Sequence, residues 1–367
     1  MKRPEVDFAA LGLTLFCGAA GGFAAQLLHL PLALLLGSLV TTGIIAAIGW
    51  RPFGKSVLLP MRLRLAFVPV IGVSIGGAFT PAVLASAADW WPGLVALFLF
   101  LPASHAIGYA IYRTGGLPKV ESFFGAIPGG LIETVQLGEE AGGDPRLLTV
   151  LQFLRLILTI IFVPLIFTVL TGGAVGSASG VTLPAAAVPL TLPEIAVLLA
   201  AGALGFATAR TLHFPAAIMT GPILFSAIAH ATGIVHGVPP AWLVGLTQIV
   251  IGCGLGARFA GAERRMLVRA LGLATANSIL SLLVAFAFAL VLSPLVAEPA
   301  PAVFLAFAPG GLAEMSLIAL SLQMSVVFVT LHHVARIVHL RRLHLQPNTR
   351  CLDHLAQGRG GGGDGGG

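Results

Sequence analysis

Two segments of this sequence share one arrangement of chain-breaking and ionisable residues. Each has a Pro-Gly-Gly triplet, a glutamate three residues beyond the second glycine, and an arginine at a fixed distance beyond that glutamate (155 − 133 = 22 and 336 − 314 = 22). Three residues before each arginine stands another polar side chain. Guanidinium groups bind anions and imidazoles exchange protons near neutral pH, so these residue types could hold an anionic solute or relay protons. The two sets are Pro128, Gly129, Gly130, Glu133, Gln152 and Arg155, and Pro309, Gly310, Gly311, Glu314, His333 and Arg336.

Both triplets stand inside apolar sequence that would otherwise form continuous helix. Proline has no N–H to donate and clashes with the preceding turn, and glycine disfavours helix for entropic reasons. We therefore expect two broken helices, with new half-helices starting at Gly129 and Gly310. The first turn of such a half-helix presents free N–H groups and the positive end of the helix dipole, which favour an anion.

Two interpretations of these side chains stay open. In the functional one they line a central polar site, in which one of the glutamates titrates and one of the arginines holds an anionic group. In the structural one each glutamate caps a broken helix, and a Glu–Arg pair only locks two helices together. His333, next to His332, could likewise relay protons or serve as a hydrogen-bonded helix contact.

The composition predicts a membrane protein. Of the 367 residues 57% are hydrophobic and only 9% are charged, whereas a soluble domain carries about 25% charged residues. The net charge of +6 indicates orientation rather than direct nucleic-acid binding, because Lys and Arg collect in cytoplasmic loops. The three cysteines are widely spread and have no metal-site or disulfide spacing, so we expect no metal and no cofactor.

We expect an all-α polytopic membrane protein, since each crossing needs roughly 20 apolar residues. Residues 1–170 are predicted to form a first membrane repeat and residues 191–340 a second one. Residues 171–190 are the predicted linker, and residues 341–367 a disordered polar and glycine-rich tail. The ten predicted spans are about 8–27, 31–49, 59–79, 91–112, 146–170, 192–211, 215–235, 241–260, 268–293 and 325–340.

Three segments recur in the same order at nearly one spacing, which predicts a tandem duplication. LHLPLALLLGSLV at 28–40 matches LHFPAAIMTGPIL at 212–224 (212 − 28 = 184), and IGVSIGGAF at 71–79 matches IGCGLGARF at 251–259 (251 − 71 = 180). The Pro-Gly-Gly triplets match at 309 − 128 = 181.

The basic residues suggest that the two halves are inverted. They cluster at 51–64 in the first half and one loop later, at 258–269, in the second half. If both clusters are cytoplasmic, the second half is inverted in the membrane relative to the first. An inverted repeat requires an odd number of crossings in each half. We therefore expect five spans per half, a Pro-Gly-Gly segment that is broken or re-entrant in each half, and two cytoplasmic termini. The alternative is twelve full spans with parallel halves.

The regions around the triplets also resemble a known family. PGGLIETVQLGEEAGGDPRLLTVLQFLRLILTIIFVPLI at 128–166 and APGGLAEMSLIALSLQMSVVFVTLHHVARIV at 308–338 are similar to the duplicated membrane family called AbrB, over about residues 10–338. The resemblance implies the labels of transcriptional regulator and ammonia monooxygenase, and a role in regulating gene expression. This sequence departs from the family after Arg336, where the expected apolar half of the last helix is absent.

These features favour secondary transport of a small, anionic solute across the bacterial inner membrane. The expected partners are this solute or ion and the lipid bilayer, with self-association into a homo-oligomer left open. The alternative is a membrane regulator of gene expression that acts through a partner or a sensed solute. An enzyme is not expected, because no metal ligands have the spacing that a monooxygenase needs.

Overall fold

The computed structural model describes residues 7–171, 188–261, 263–322 and 324–345. All regular secondary structure in these ranges is helical. Most of the predicted linker and of the predicted tail lies outside them. The helices before the linker are α1 (Phe8–Leu27), α2 (Ala33–Ile48), α3 (Met61–Gly76), α4 (Pro81–Ser86), α5 (Trp91–Thr114), α6 (Lys119–Ala126), α7 (Leu131–Glu140) and α8 (Pro145–Thr171). Those after it are α9 (Leu192–Thr211), α10 (Ala217–Ala231), α11 (Ala241–Gly256), α12 (Arg264–Val296), α13 (Ala300–Phe307), α14 (Leu312–Ser321) and α15 (Val326–Leu345).

Six helical segments of the described chain are long and apolar enough to cross a membrane. The prediction of a helical membrane protein is confirmed to this extent. The other four predicted spans coincide with α2, α3, α10 and α15, which are not among these six segments, so the total of ten spans stays a prediction. The six segments are Phe8–Leu27, Val83–Thr114, Pro145–Val169, Leu192–Thr211, Ala241–Phe259 and Arg264–Val296.

The helices after the linker start at positions that repeat those before it. The starts of α9 and α10 follow those of α1 and α2 at one common offset (192 − 8 = 184 and 217 − 33 = 184), and α11 follows α3 at a similar one (241 − 61 = 180). The starts of α13, α14 and α15 follow those of α6, α7 and α8 at a third, again shared offset (300 − 119 = 181, 312 − 131 = 181 and 326 − 145 = 181). These offsets agree with the sequence matches; the duplication and its inversion remain predictions.

Packing sorts the helices into two groups, each drawn from both halves of the chain. Bundle I consists of α1, α2 and α3 with α9, α10 and α11. Bundle II consists of α5 to α8 with α12 to α15. The bundles meet where α3 packs against α14, and where the Arg258 guanidinium lies 5.3 Å from the centre of the Phe153 ring. The broken segments both belong to bundle II.

Bundle I is held together by backbone contact at paired glycines. A Cβ atom on Gly37 of α2 would lie 2.2 Å from the carbonyl oxygen of Gly21 in α1. A Cβ atom on Gly221 of α10 would lie 2.0 Å from the carbonyl oxygen of Gly205 in α9. The second pair repeats the first at the offset of these helices (205 − 21 = 184 and 221 − 37 = 184). Such close approach maximises dispersion contact between apolar helices, which lack a hydrophobic driving force for association within lipid.

An ion pair ties the start of α1 to the loop between α2 and α3, and it makes stability depend on pH. Lys55 Nζ lies 2.7 Å from Asp7 Oδ2, and Asp7 also caps α1 by accepting from the N–H groups of Ala9 and Ala10. The hydrogen bond from Lys55, and next that from Ala10, lower the pKa of Asp7. A lowered folded-state pKa stabilises the fold above about pH 4, and the contribution disappears as the pH falls through the folded-state value.

We expect Asp7→Asn to lower the melting temperature slightly at pH 7. The difference from the parent protein should vanish in acid, because the parent carboxylate is then protonated too. Thermal unfolding in detergent between pH 2 and pH 7 measures it. A difference that stays constant over the whole range would show that the charge of Asp7 is irrelevant to stability.

Candidate functional site

Each Pro-Gly-Gly triplet interrupts a helix in bundle II. Helix α6 ends at Ala126 and α7 begins at Leu131, while α13 ends at Phe307 and α14 begins at Leu312. The expected starts at Gly129 and Gly310 are therefore wrong by two residues, because the glycines form the turn instead. In both breaks the N–H of the first glycine bonds to the carbonyl two residues back, at 2.9 Å in the first and 2.8 Å in the second.

The first break is held by two side chains of α8. Gln152 Nε2 donates to the carbonyl oxygens of Phe124 and Gly125, at 2.9 and 3.3 Å. It also lies 3.3 Å from the carbonyl of Ile127, which accepts a hydrogen bond from Arg155 Nη1 as well. These acceptors stand at the carboxyl end of α6, where a helix leaves its last carbonyls without intrahelical partners.

The second break is held by the equivalent pair on α15. Arg336 donates from Nη1 to the carbonyl of Ala308 at 2.9 Å and from Nη2 to that of Gly310 at 2.7 Å. His333 Nε2 lies 3.1 Å from the carbonyl oxygen of Leu305, and its Nδ1 contacts Arg336 Nη2. The donors and the acceptors repeat those of the first break at the offset of the triplets (336 − 155 = 181 and 308 − 127 = 181).

These contacts explain how the buried polar side chains of α8 and α15 are tolerated inside an apolar bundle. In the bilayer an unpaired backbone carbonyl costs several kcal/mol, and broken helices persist only where protein or water satisfies them. A cation at the carboxyl end of a half-helix also meets the negative end of its dipole. Both arginines therefore have a structural role as caps of α6 and α13. They do not form the predicted Glu–Arg pairs: in the described part of the chain, neither guanidinium lies within ion-pair distance of a carboxylate.

The two glutamates occupy equivalent places in sequence but differ in burial. Both are the third residue of their helix, yet Glu133 is exposed on α7 whereas Glu314 is 3% exposed on α14. Glu314 folds back over the start of its own helix, so closely that a Cβ atom on Gly311 would lie 2.1 Å from Glu314 Oε2. A carboxylate in this place is stabilised by the positive end of the helix dipole. Of the two glutamates only Glu314 is buried within bundle II.

The two breaks converge inside bundle II. Arg155 and Arg336 are buried, with 5% and 3% of their surface exposed, and their helices α8 and α15 both pack against α14. A Cβ atom on Gly311 would lie 3.2 Å from Leu156 Cδ1, next to Arg155 in α8. The Nε atoms of both arginines are buried and have no hydrogen-bond partner among the residues that the structure describes. Two buried cations thus lie on helices that pack against α14, and neither is ion-paired with a carboxylate of the described residues.

A buried polar chain runs between α5 and α12 beside the first break. A Cβ atom on Gly125 of α6 would lie 3.4 Å from Tyr112 Cε2, and the Tyr112 hydroxyl accepts a hydrogen bond from Asn277 Nδ2 at 3.1 Å. Ser281 Oγ donates to Asn277 Oδ1 at 3.3 Å, and Ser104 Oγ donates to Ser281 Oγ at 3.2 Å. Tyr112 was not identified from the sequence, because its neighbour Arg113 marks the end of a span; its place beside Gly125 depends on how α5 packs against α6.

The structure thus brings most of the predicted site residues together. In the first half Gln152 and Arg155 share the carbonyl of Ile127, the residue before the triplet. In the second half Arg336 bonds to Gly310 of the triplet and contacts His333. Glu314 lies buried beside Gly311, whereas Glu133 is exposed.

The two triplets also differ in backbone conformation, and this yields a prediction at Gly130. Gly130 has φ 62° and ψ 47°, in the left-handed region, and a Cβ atom there would meet no atom nearer than 3.7 Å. We expect Gly130→Ala to lower stability by about 1–2 kcal/mol through backbone strain alone. Gly130→Asn should recover most of this loss, because Asn tolerates the left-handed conformation. Denaturant or thermal unfolding in detergent measures the stability of both variants. Equal losses of stability would indicate that a lack of space for the side chain, and not the left-handed φ, causes the effect.

Comparison with known proteins gives the family. The sequence profile of the family described as "Transition state regulatory protein AbrB" matches residues 43–343. The uncharacterized protein YhjN of Bacillus subtilis (strain 168) is 27% identical over 359 residues, which cover 92% of this chain and 91% of that protein. A protein of Escherichia coli (strain K12), named provisionally as regulator AbrB, is 29% identical over 253 residues, 68% of each chain. The chain therefore belongs to the AbrB family.

Proposed function

We propose that this protein is a secondary transporter of a small anionic solute, which binds between Arg155 and Arg336 at the junction of the two broken helices. One observation carries the proposal: two buried guanidinium groups, one from each half, lie on the helices α8 and α15 that both pack against α14, and neither has an ion-paired carboxylate in the described chain. Their backbone contacts account for part of their donors, and both Nε atoms remain unpartnered there.

Electrostatics gives the reason for expecting an anion. Removing a cation from water costs several kcal/mol, and two like charges in a medium of low dielectric add repulsion to that cost. An anion placed between the two guanidinium groups would offset both the cost of desolvation and the repulsion between them. Guanidinium groups bind planar carboxylates and tetrahedral oxoanions through paired N–H donors. The free N–H groups at the starts of α7 and α14 would add further donors.

The arrangement of the bundles fits transport by alternating access. Secondary transporters commonly place broken helices from inverted repeats around a midplane site and move one group of helices against another. Here the broken helices lie in bundle II, and bundle I is a separate group held by glycine contacts. We propose that the halves are inverted, with ten spans, two re-entrant segments and cytoplasmic termini in the bacterial inner membrane. No nucleic acid contact, enzymatic step or cofactor is part of this proposal.

A membrane regulator is the second candidate. It is favoured by the family description and by the regulator name of the relative in Escherichia coli. In that case the same pocket would sense the anion and change the contacts of a partner protein, with no net movement of solute.

The test of this proposal measures anion binding and anion transport separately. Purified protein in detergent is heated with sulfate, phosphate, acetate or succinate, because a ligand that binds only the folded state raises the melting temperature. The same anions are then tested for counterflow in reconstituted vesicles. Stabilisation together with counterflow supports the transporter. Stabilisation without counterflow favours the sensor, and the absence of any stabilisation rejects the anion site.

A further inference from the structure

The contacts of His333 define which of its ring nitrogens carries the proton. A carbonyl oxygen can only accept a hydrogen bond, so the 3.1 Å contact with Leu305 requires N–H on Nε2. A guanidinium can only donate, so the contact with Arg336 requires a lone pair on Nδ1. Both partners are satisfied only by the neutral imidazole with its proton on Nε2.

Protonation of His333 is incompatible with this arrangement. An imidazolium carries N–H on both nitrogens, so Nδ1–H would point at an N–H of Arg336. The hydrogen bond would be lost and replaced by repulsion between two cations. Arg336 would then have to leave its place beside His333, which frees the Nη2 group that contacts both His333 and Gly310.

The first half of the chain has no titratable side chain at the position equivalent to His333. Gln152 stands where His333 stands in the second half (333 − 152 = 181), and its Nε2 makes the equivalent bond to the end of the preceding half-helix. An amide does not titrate in the physiological range, and Gln152 Oε1 has no hydrogen-bond partner in the described residues. One half therefore holds its arginine through a titratable group and the other half does not.

The surrounding charges decide when His333 accepts a proton. Its nearest titratable neighbours are Arg336, which contacts Nδ1, and His332, the preceding residue of α15. The titratable residue of α14 is Glu314, and α13 contributes the Leu305 carbonyl but no titratable side chain. The Arg336 cation thus lies next to the imidazole, and an arriving anion would oppose its field. The titratable residues of α5, which also packs against α15, are His105, Tyr109, Tyr112 and Arg113.

We propose that His333 is the proton-binding residue that couples one proton to one bound anion. Anion entry between the arginines favours protonation of His333, and protonation in turn releases Arg336 to hold the anion. Proton and anion would therefore cross together. This inference rests on the anion site of the proposed function and adds the coupling ion to it.

Proton uptake on anion binding tests the coupling. Sulfate and acetate are used as probes because neither titrates between about pH 6 and pH 8, where an imidazole does. Addition of the probe to the full-length protein, in weakly buffered detergent with an indicator dye, should withdraw close to one proton per bound anion. Between the imidazole transition of the free protein and the higher one of the complex, the apparent affinity should fall about tenfold for each unit of pH, and above the transition of the complex it should no longer change.

His333→Gln reproduces the residue of the first half and is the decisive variant. Gln can donate to the Leu305 carbonyl and accept from Arg336, so the helix break keeps both contacts. We expect its sulfate or acetate binding to be independent of pH and to take up no proton. His332→Gln is the matched control, because His332 bonds through Nδ1 to the carbonyl of Phe328, at 2.9 Å, and does not touch Arg336; it should keep the proton uptake.

The outcomes separate the two proposals. Unchanged proton uptake and pH dependence in His333→Gln would overturn the coupling role and leave the anion site standing. Proton uptake that disappears in His332→Gln but persists in His333→Gln would assign the coupling to His332, which would also overturn the proposal for His333. If neither probe stabilises the parent protein, the anion site itself fails, and the coupling fails with it.

Discussion

Replacement of either buried arginine by glutamine is expected to lower anion counterflow by at least about 30-fold, because truncating one partner of a buried charge interaction costs about 2 kcal/mol or more and each 1.4 kcal/mol is a factor of ten. Arg155→Gln and Arg336→Gln both keep amide donors that can reach a backbone carbonyl. The cap of the half-helix is thus partly retained while the charge is lost. Counterflow in vesicles measures the change, and the amount of inserted protein corrects for folding.

The matched control is Arg269→Gln. Arg269 also donates to backbone carbonyls at the end of a helix, those of Gly115 and Gly116 after α5, at 3.2 and 3.0 Å, but it is exposed and lies outside the site. Its replacement should leave counterflow within about twofold, since exposed charges contribute little. Equal losses in all three variants would mean that carbonyl capping, and not anion binding, explains the arginines. Full activity in Arg155→Gln and Arg336→Gln would remove them from the binding site.

Gly221→Ala is expected to destabilise the protein by about 1–3 kcal/mol or more, because the added methyl group meets backbone that cannot move aside locally. Its Cβ atom would lie 2.0 Å from the carbonyl oxygen of Gly205 and 2.8 Å from Ala209 Cβ. The helices α9 and α10 would have to separate along their length to admit it. Thermal unfolding in detergent, read by circular dichroism, measures the loss.

Gly272→Ala gives the control with the same chemical change. Gly272 lies within α12, and a Cβ atom there would meet nothing within 4 Å. Alanine in such a helix position is expected to raise stability by about 0.5–1 kcal/mol, since it loses less backbone entropy than glycine. A loss at Gly272 similar to that at Gly221 would refute close packing of α9 and α10 as the cause.

The helix breaks and their positions could be predicted from the sequence because proline and glycine act locally. The lack of an N–H group and the loss of helix propensity do not depend on distant contacts. The starts of the following helices differ from the expected ones by two residues. Whether a glycine lies in the turn or in the first helical position depends on its backbone angles, which differ between Gly130 (φ 62°) and Gly311 (φ −82°), and a sequence pattern does not specify them.

The partners of the charged residues could not be predicted in the same way. The sequence pairs Glu133 with Arg155 and Glu314 with Arg336 by equal spacing, but the arginines bond to carbonyls six residues before those glutamates (133 − 127 = 6 and 314 − 308 = 6). Such contacts depend on how α8 and α15 lie against the ends of α6 and α13. The different burial of the two glutamates, which occupy the same position in their helices, likewise depends on how α7 and α14 are packed.

The amino-acid sequence alone determined that this is an apolar helical chain, where its helices break, which polar residues stand near the breaks and at what spacing they recur. These properties follow from composition, hydrophobicity and local backbone preference. Only the tertiary structure decided that two arginines from different halves lie on helices packed against α14, that each caps a half-helix instead of pairing with a glutamate, and that one of them is held by a histidine. Electrostatic and hydrogen-bond energies fall off over a few ångströms, so they are set by the packing of helices that are distant in sequence.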